Sequence, residues 1–364
     1  MIYNILTLSL TVFISIIYYS TAFKRRLRLL QRKEHTEQNN SYSISVIIPA
    51  RNEEKNIAKI LNCLRNQSLK PDEIIVVDDN STDNTYETAS QFEGVKCIRL
   101  QEEPPKGWVG KPWAIWNGVR ASKGNLLIFF DADVEPEPFA LEILVNIYNK
   151  YGGLISVWPY QSFEKFYEHL TAVFNILIIY AGNMIGFPFK KPSGAFGPVI
   201  LTARKDYEYT GGHQAIKDSV LEDIKLGKLY IEKGISVNNF LGDGIIKFRM
   251  YPNGFAQLFE GFAKNMSFGA STGGSLSFLL AMIWISGYFS SFSNFNYLIF
   301  YTAVRYIIMC LLFYLLLRPT GDYKWYDALF YPIYFIFFII VFIYSLYQAI
   351  VVKKVTWKGR KINV

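Results

Sequence analysis

Cysteine is scarce and unpatterned. Cys63, Cys97 and Cys310 are odd in number, far apart and without metal-ligand spacing. That excludes a disulfide framework and a cysteine-held metal, and fits buried thiols in a reducing compartment. Charge is also scarce: Asp, Glu, Lys and Arg make up 19% of the 364 residues, against 51% hydrophobic and 17% aromatic residues. This composition excludes a disordered chain and is too apolar for a simple soluble enzyme, so part of the chain is expected in lipid. There is no internal repeat and no low-complexity segment.

The formal charge of +8 is gathered near the two ends. Six basic residues and no acidic ones lie between Lys24 and Lys33, and five more between Lys353 and Lys361. Setting those eleven aside from the 38 leaves 27 basic residues against 30 acidic ones. A nucleic-acid binder carries its cations on the folded domain, so no nucleic-acid partner is expected. Both clusters instead follow the rule that juxtamembrane cations stay cytoplasmic.

Ile2 to Phe23 is uncharged and runs into Lys24-Arg25-Arg26. A cleaved signal peptide has its positive charge before the apolar run, so residues 1–23 read as a retained transmembrane anchor followed by a basic linker, 24–43. From Ile44 the pattern becomes short β-branched runs alternating with amphipathic stretches, an α/β domain with a largely parallel sheet over 44–274. Strands are expected at Ile44–Ile48, Glu73–Asp78, Val95–Leu100 and Leu126–Phe130, with helices at about Glu53–Gln67, Asn84–Phe92 and Lys111–Ala121. Leu170 to Phe189 is long and apolar enough to span a membrane, but a span there would separate the two halves of one site. It is therefore expected as an interfacial helix near 164–187, whose Phe166, Tyr167, Phe174, Tyr180 and Phe187 suit the headgroup level. Residues 275–352 carry three apolar segments, expected as transmembrane or interfacial helices. Three full spans would leave the basic tail 353–364 outside, so the first, Leu276–Phe292, is expected to be re-entrant or interfacial.

The strongest local signal is Phe129-Phe130-Asp131-Ala132-Asp133, an apolar strand ending in two carboxylates. Alternate side chains at a strand end point the same way, so Asp131 and Asp133 suit one hard cation, Mg²⁺ or Mn²⁺, against a diphosphate. Alone, the pattern also fits a solvated turn. Two earlier strands stop as abruptly, in Pro49-Ala50-Arg51-Asn52-Glu53-Glu54 and in Asp78-Asp79-Asn80-Ser81-Thr82-Asp83. Asn52 and Ser81 there are also good helix caps. Gly107-Trp108-Val109-Gly110-Lys111-Pro112 opens a helix with a lysine but lacks Walker spacing. Glu222-Asp223 sits in a helical pattern where one acid must lie nearer the buried side, as a general base requires. A solvated face pairing with Lys225 or Lys228 fits equally. His213 reads as a structural histidine beside the Gly211-Gly212 turn.

Taken in order, these motifs resemble the inverting family-two glycosyltransferases of the GT-A fold. The resemblance implies a UDP-sugar donor bordered by Pro49, Arg51, Glu53, Asp78, Asp79 and Lys111. It further implies a metal-bound diphosphate at Asp131 and Asp133, with Asp223 as base. Arg249-Met250-Tyr251 stands nearest to the Gln-x-x-Arg-Trp element of many members, without its Trp, and places Arg249 in the binding set. Ser156-Val157-Trp158-Pro159-Tyr160, Phe163 through Asn175, Ala195-Phe196-Gly197-Pro198, Thr210-Gly211-Gly212-His213, Phe248-Arg249-Met250-Tyr251 and Trp357-Lys358-Gly359-Arg360 are similar to bacterial membrane glycosyltransferases that modify C30 carotenoid acids. The implied function is transfer of a hexose, expected to be glucose, to a lipid acceptor at the cytoplasmic face of the cell membrane. Glycerolipid, polyprenyl phosphate and polysaccharide remain alternative acceptors, with about four spans few for a polysaccharide channel. A nucleotide-binding transporter or scaffold is the reading from another class, but a transporter needs functional charge within its spans, where only Arg305 qualifies.

Overall fold

The computed structural model describes residues 2–31, 42–186, 191–219, 221–269, 274–293, 299–348, 354–357 and 360–363. Residues 32–41 of the basic linker, Phe187, and Lys353, Lys358 and Gly359 of the basic tail lie outside the described residues. The chain divides into two compact units. A sheet unit comprises Arg25–Tyr160 and Lys191–Phe248, and a helical unit comprises Met1–Lys24, Gln161–Lys190 and Arg249–Val364. The expected single domain over 44–274 is thus interrupted, with 161–190 and 249–274 belonging to the helical unit.

The strands in chain order are β1 (Ile44–Ala50), β2 (Glu73–Asp79), β3 (Val95–Leu100), β4 (Leu126–Phe130), β5 (Val134–Pro136), β6 (Leu154–Trp158), β7 (Tyr160–Gln161), β8 (Val199–Ala203), β9 (Val237–Leu241) and β10 (Ile246–Phe248). Seven of them form one sheet in the order β3-β2-β1-β4-β8-β6-β9. Near-continuous apolar runs in β1, β2 and β4 follow from burial on both faces. Register aligns Ile75, Ile47, Phe129 and Ile200 in one row across four strands. Ala114, Ile115 and Val119, from the helix Gly110–Ala121, join this row in the core. Burying a side chain of this kind stabilises the fold by roughly 1.5–3 kcal/mol.

β3, β2, β1 and β4 are parallel as expected, but β8 runs antiparallel to both β4 and β6. The reversal matters for function. Because Phe130 pairs with Val199, the residues just before β8 lie at the same edge as the carboxyl ends of the parallel strands. There Asp131 N–H donates to the Pro198 carbonyl at 2.9 Å.

In the helical unit, Ile5–Phe23, Gly274–Ser291 and Phe300–Leu317 are long and apolar enough to cross a membrane, whereas Tyr331–Tyr347 is shorter. The first two pack side by side: Trp284 Nε1 donates to Ser15 Oγ, and Gly287 lies against Thr11. A rising residue number on one therefore matches a falling one on the other, so they are antiparallel. Leu6, Phe13, Ile16, Leu276, Leu279, Phe300 and Ile307 are exposed along these helices, an apolar surface that suits lipid. Arg305 is buried and donates to Ser290 Oγ.

The expected interfacial segment is a broken helix with a 3₁₀ turn at Phe166–Thr171, an α turn at Ala172–Ile176 and a π turn at Leu177–Ala181. Its aromatics do not form one exposed stripe. Phe166 is 71% exposed, but Phe174 and Tyr180 are buried. Phe174 stacks on Phe262 at 4.0 Å and Tyr180 on Tyr18 at 4.9 Å. Those two rings are therefore core packing within this unit and are not available to line an acceptor path.

Candidate active site

The polar ends of β1 and β2 are tied to one another. Asn52 takes a left-handed backbone (φ 55°), and its N–H donates to Ser81 Oγ while its side-chain oxygen accepts from Thr82 N–H. Glu53 N–H donates to Thr85 Oγ1 at 2.7 Å, and Glu54 exchanges bonds with Asp83 and Asn84. Arg51 Nη1 donates to the Asp79 carbonyl at 2.9 Å and lies 3.7 Å from its carboxylate. Pro49 and Asp79 are at the same edge, whereas Asp78 is fully buried. One Asp78 oxygen accepts from Ser81 N–H, and Arg99 approaches it to 3.8 Å, so this residue organises its own loop.

Beside this edge lies a pocket whose polar lining is Lys111, Asp131, His213, Glu222 and Asp223. Pro49, Ile115, Phe129, Phe130 and Ile200 form its apolar wall. Lys111, one-third exposed at 32%, stands in the first turn of its helix and bridges Asp131 at 2.7 Å and Glu222 at 2.9 Å. Partial burial pulls the ammonium down, but the Asp131 and Glu222 carboxylates hold it well above the ordinary lysine value. Glu222 therefore faces the pocket, while Lys225 turns outward to Asp218 at 3.6 Å. This excludes the solvated-face alternative for Glu222.

Asp223 comes to the pocket because its helix, Glu222–Glu232, lies directly on the backbone of 194–195. A Cβ at Gly227 would collide with Gly194 and the Ala195 nitrogen, so only glycine permits that approach. A Cβ at Gly197 would meet Asp223 Oδ2 at 2.8 Å. Burial, and next the Glu222 charge, raise the Asp223 carboxyl to about 7. Such a carboxylate is poised to take a proton near neutral pH. The arrangement combines one fixed cation, one tuned carboxylate and, just past the end of β4, the acid Asp131.

Residues 45–221 match the family described as Glycosyl transferase family 2. The chain is 35% identical over 352 residues to the 4,4'-diaponeurosporenoate glycosyltransferase of Staphylococcus haemolyticus (strain JCSC1435), covering 93% of each chain. It is 33% identical over 354 residues to the protein of that name from Staphylococcus aureus (strain USA300), covering 94% of this chain and 93% of the other. This chain belongs to glycosyl transferase family 2. The seven-stranded sheet is that of a GT-A glycosyltransferase, and the apolar helices fit a membrane enzyme. Among solved structures, a mannosyltransferase from Pyrobaculum calidifontis in complex with GDP-Man and Mn²⁺ aligns over 93% of this chain and 99% of its own, at 15% identity and a TM-score of 0.49.

Within the sheet unit of this glycosyltransferase, Lys111, Asp131 and Asp223 share one pocket with Pro49, and Arg51, Glu53 and Asp79 occupy the adjoining loops. Arg249 belongs to the helical unit. Its guanidinium grips the buried Glu168 through Nε at 3.0 Å and Nη2 at 2.6 Å, and its Nη1 lies 2.6 Å from Glu164. Burial opposes ionisation of Glu168, but Arg249 and the Glu164 and Lys165 N–H groups hold its carboxyl below the ordinary range. The alternation argued for Asp131 and Asp133 also needs revision. β4 stops at Phe130, and Val134 N–H donates back to the Asp131 carbonyl at 3.2 Å, so Asp133 lies in a turn.

Both carboxylates are part-exposed, and no cluster of three or more metal-ligating side chains occurs among the described residues. Mg²⁺ and similar hard cations are commonly held by one or two carboxylates, with substrate phosphates and water completing the shell. Asp131 and Asp133 fit that donor set. Sequence reasoning missed Glu222 as the partner of Lys111, Gly197 as the floor under Asp223, and His213 as pocket lining.

Proposed function

We propose that this glycosyltransferase moves glucose from UDP-glucose to the carboxylate of a C30 carotenoid acid, with inversion, at the cytoplasmic face of the cell membrane. The observation that carries the reading is the likeness to relatives named for diaponeurosporenoate, which spans 93% of each chain and so includes the helical segments as well as the sheet. The site chemistry agrees with it. Arg51, Glu53 and Asp79 stand where a nucleotide would border β1 and β2, and Lys111 supplies positive charge for a diphosphate. Asp131 and Asp133 would hold Mg²⁺ or Mn²⁺, which neutralises a diphosphate leaving group.

An acceptor oxygen would attack the anomeric carbon opposite the departing UDP, which leaves with the bonding electron pair and gives the inverted configuration. A hydroxyl acceptor must lose its proton during attack, and Asp223 is the group to take it. A carboxylic acid, with a pKa of roughly 4, is already ionised near neutral pH. Asp223 then orients the acceptor. Purified full-length protein given UDP-glucose and the carotenoid acid is expected to form an alkali-labile glucosyl ester, detected by mass spectrometry. Transfer to diacylglycerol or polyprenyl phosphate, with none to the acid, would overturn the acceptor assignment.

The three long helices support a membrane topology for this proposal. With Lys24 cytoplasmic, the antiparallel Gly274–Ser291 leads outward and Phe300–Leu317 returns. Tyr331–Tyr347 is shorter among the described residues, and keeping the basic tail cytoplasmic makes it the re-entrant or interfacial element of this proposal, in place of the first segment. Both basic clusters are then cytoplasmic. A cysteine introduced at Lys217 should resist a membrane-impermeant maleimide in intact cells and react after permeabilisation. Labelling before permeabilisation would refute this topology.

A further inference from the structure

His213 has an unusual setting for a structural histidine. It is 1% exposed and lines the pocket that also holds Lys111 and Asp223. Gly212 has a left-handed backbone (φ 49°), and a Cβ there would strike the Tyr207 ring, so glycine lets that ring lie close to the chain. As a result Tyr207 OH accepts from His213 N–H at 3.0 Å and lies 2.9 Å from His213 Nδ1. A phenol has one proton to give. With no other acceptor for that proton among the described residues, it donates to Nδ1, which places the ring proton on Nε2. Phe129 packs edge-on against the imidazole at 5.6 Å and fixes its plane. Nε2 makes no hydrogen bond among the described residues. Burial, and next the Lys111 charge, lower the imidazolium to about 3, so the ring is neutral at working pH.

We infer that His213 is a specificity-determining residue whose Nε2–H donates to a hydroxyl of the sugar being transferred. The charge of the pocket selects that ligand. Lys111 is already engaged by Asp131 and Glu222, so among the described residues the lining beside His213 offers no free cation for an anion and suits a neutral polyol that gives protons to the acids and accepts from the imidazole. This rests on the glycosyl-donor reading above and names the residue that reads the sugar.

The test uses full-length protein in detergent, the carotenoid acid, UDP-glucose and its 2-, 3-, 4- and 6-deoxy analogues. One analogue should lose roughly 10- to 100-fold in kcat/KM with the unaltered protein, because it leaves the buried donor unpaired. In His213→Asn, which keeps a polar partner for Tyr207 but withdraws the donor from the pocket, that penalty should vanish. Inhibition by UDP should stay unchanged, and His213→Gln, with an amide near the Nε2 position, should restore part of the penalty. Should His213→Asn fold poorly, Tyr207→Phe releases the ring proton and is expected to shrink the same penalty. Equal deoxy penalties in the unaltered and variant proteins, with activity intact, would overturn the inference for His213 alone. So would weakening of UDP inhibition by the same factor as UDP-glucose. No turnover of any UDP-hexose by the unaltered protein would overturn the donor reading and this inference together.

Discussion

Asp133→Asn should reduce transfer roughly 10²- to 10⁴-fold, the loss expected when several kcal/mol of charge stabilisation leaves a diphosphate departure. Chelation with EDTA should do the same, and added Mg²⁺ or Mn²⁺ should restore it. Asp133 lies in a part-exposed turn outside the packed row of Ile75, Ile47 and Phe129, so its replacement should leave the thermal unfolding midpoint nearly unchanged. Full activity in EDTA would remove the metal from the reading, and loss of fold in Asp133→Asn would show that the turn is structural.

The second large effect is at Asp223, and its sign depends on the acceptor. With a hydroxyl acceptor, Asp223→Asn should lower turnover about 10²- to 10⁴-fold. The rate of the unaltered protein should then rise through about pH 7, where the buried carboxyl becomes ionised. A carotenoid carboxylate reverses this dependence. It is anionic above roughly pH 4 and is repelled by a second carboxylate, so activity should be highest while Asp223 holds its proton and fall above about 7. Asp223→Asn should then be milder than Asp133→Asn. Stability supplies an independent check. The carboxyl of Asp223 is raised by folding, so its ionisation opposes the folded state increasingly as pH rises from the unfolded value toward about 7, and fully above it. Asp223→Asn should therefore raise the thermal midpoint above pH 7 and have little effect near pH 4. A rate that rises through pH 7 with the carotenoid acid would sink the orienting role.

The first half of the sheet was readable because its strands are dense apolar runs, as in Leu126–Phe130, or alternate apolar and polar residues at an edge, as in Val95–Leu100; both have the expected bounds. The helix expected from Glu53 begins only at Ile57 because residues 52–56 form a turn whose N–H groups bond to the β2 loop. The second half has a weaker pattern. β6 and β9 place Ser156 and Asn239 in the interior, where they satisfy one another at 2.7 Å, and β8 carries Thr202. β6 and β8 are apolar runs of only five residues, each with one polar residue, β9 carries two asparagines, and nothing local announces that β8 is reversed. The motifs Lys111, Asp131 and Glu222-Asp223 were legible as chemistry. Their pairing was not, since Glu222 lies more than a hundred positions from the lysine it meets. The aromatics near 166–180 misled because composition alone does not distinguish a lipid-facing ring from one stacked on Phe262.

Before any donor arrives, Lys111 is already engaged by Asp131 and Glu222. A phosphate that takes this ammonium must displace two carboxylates, so the encounter is an exchange of partners with little net gain in ion pairing. After transfer, the same carboxylates compete to reclaim the lysine and help to expel the nucleotide product. In enzymes where product departure limits turnover, such internal competition trades tight nucleotide binding for faster cycling.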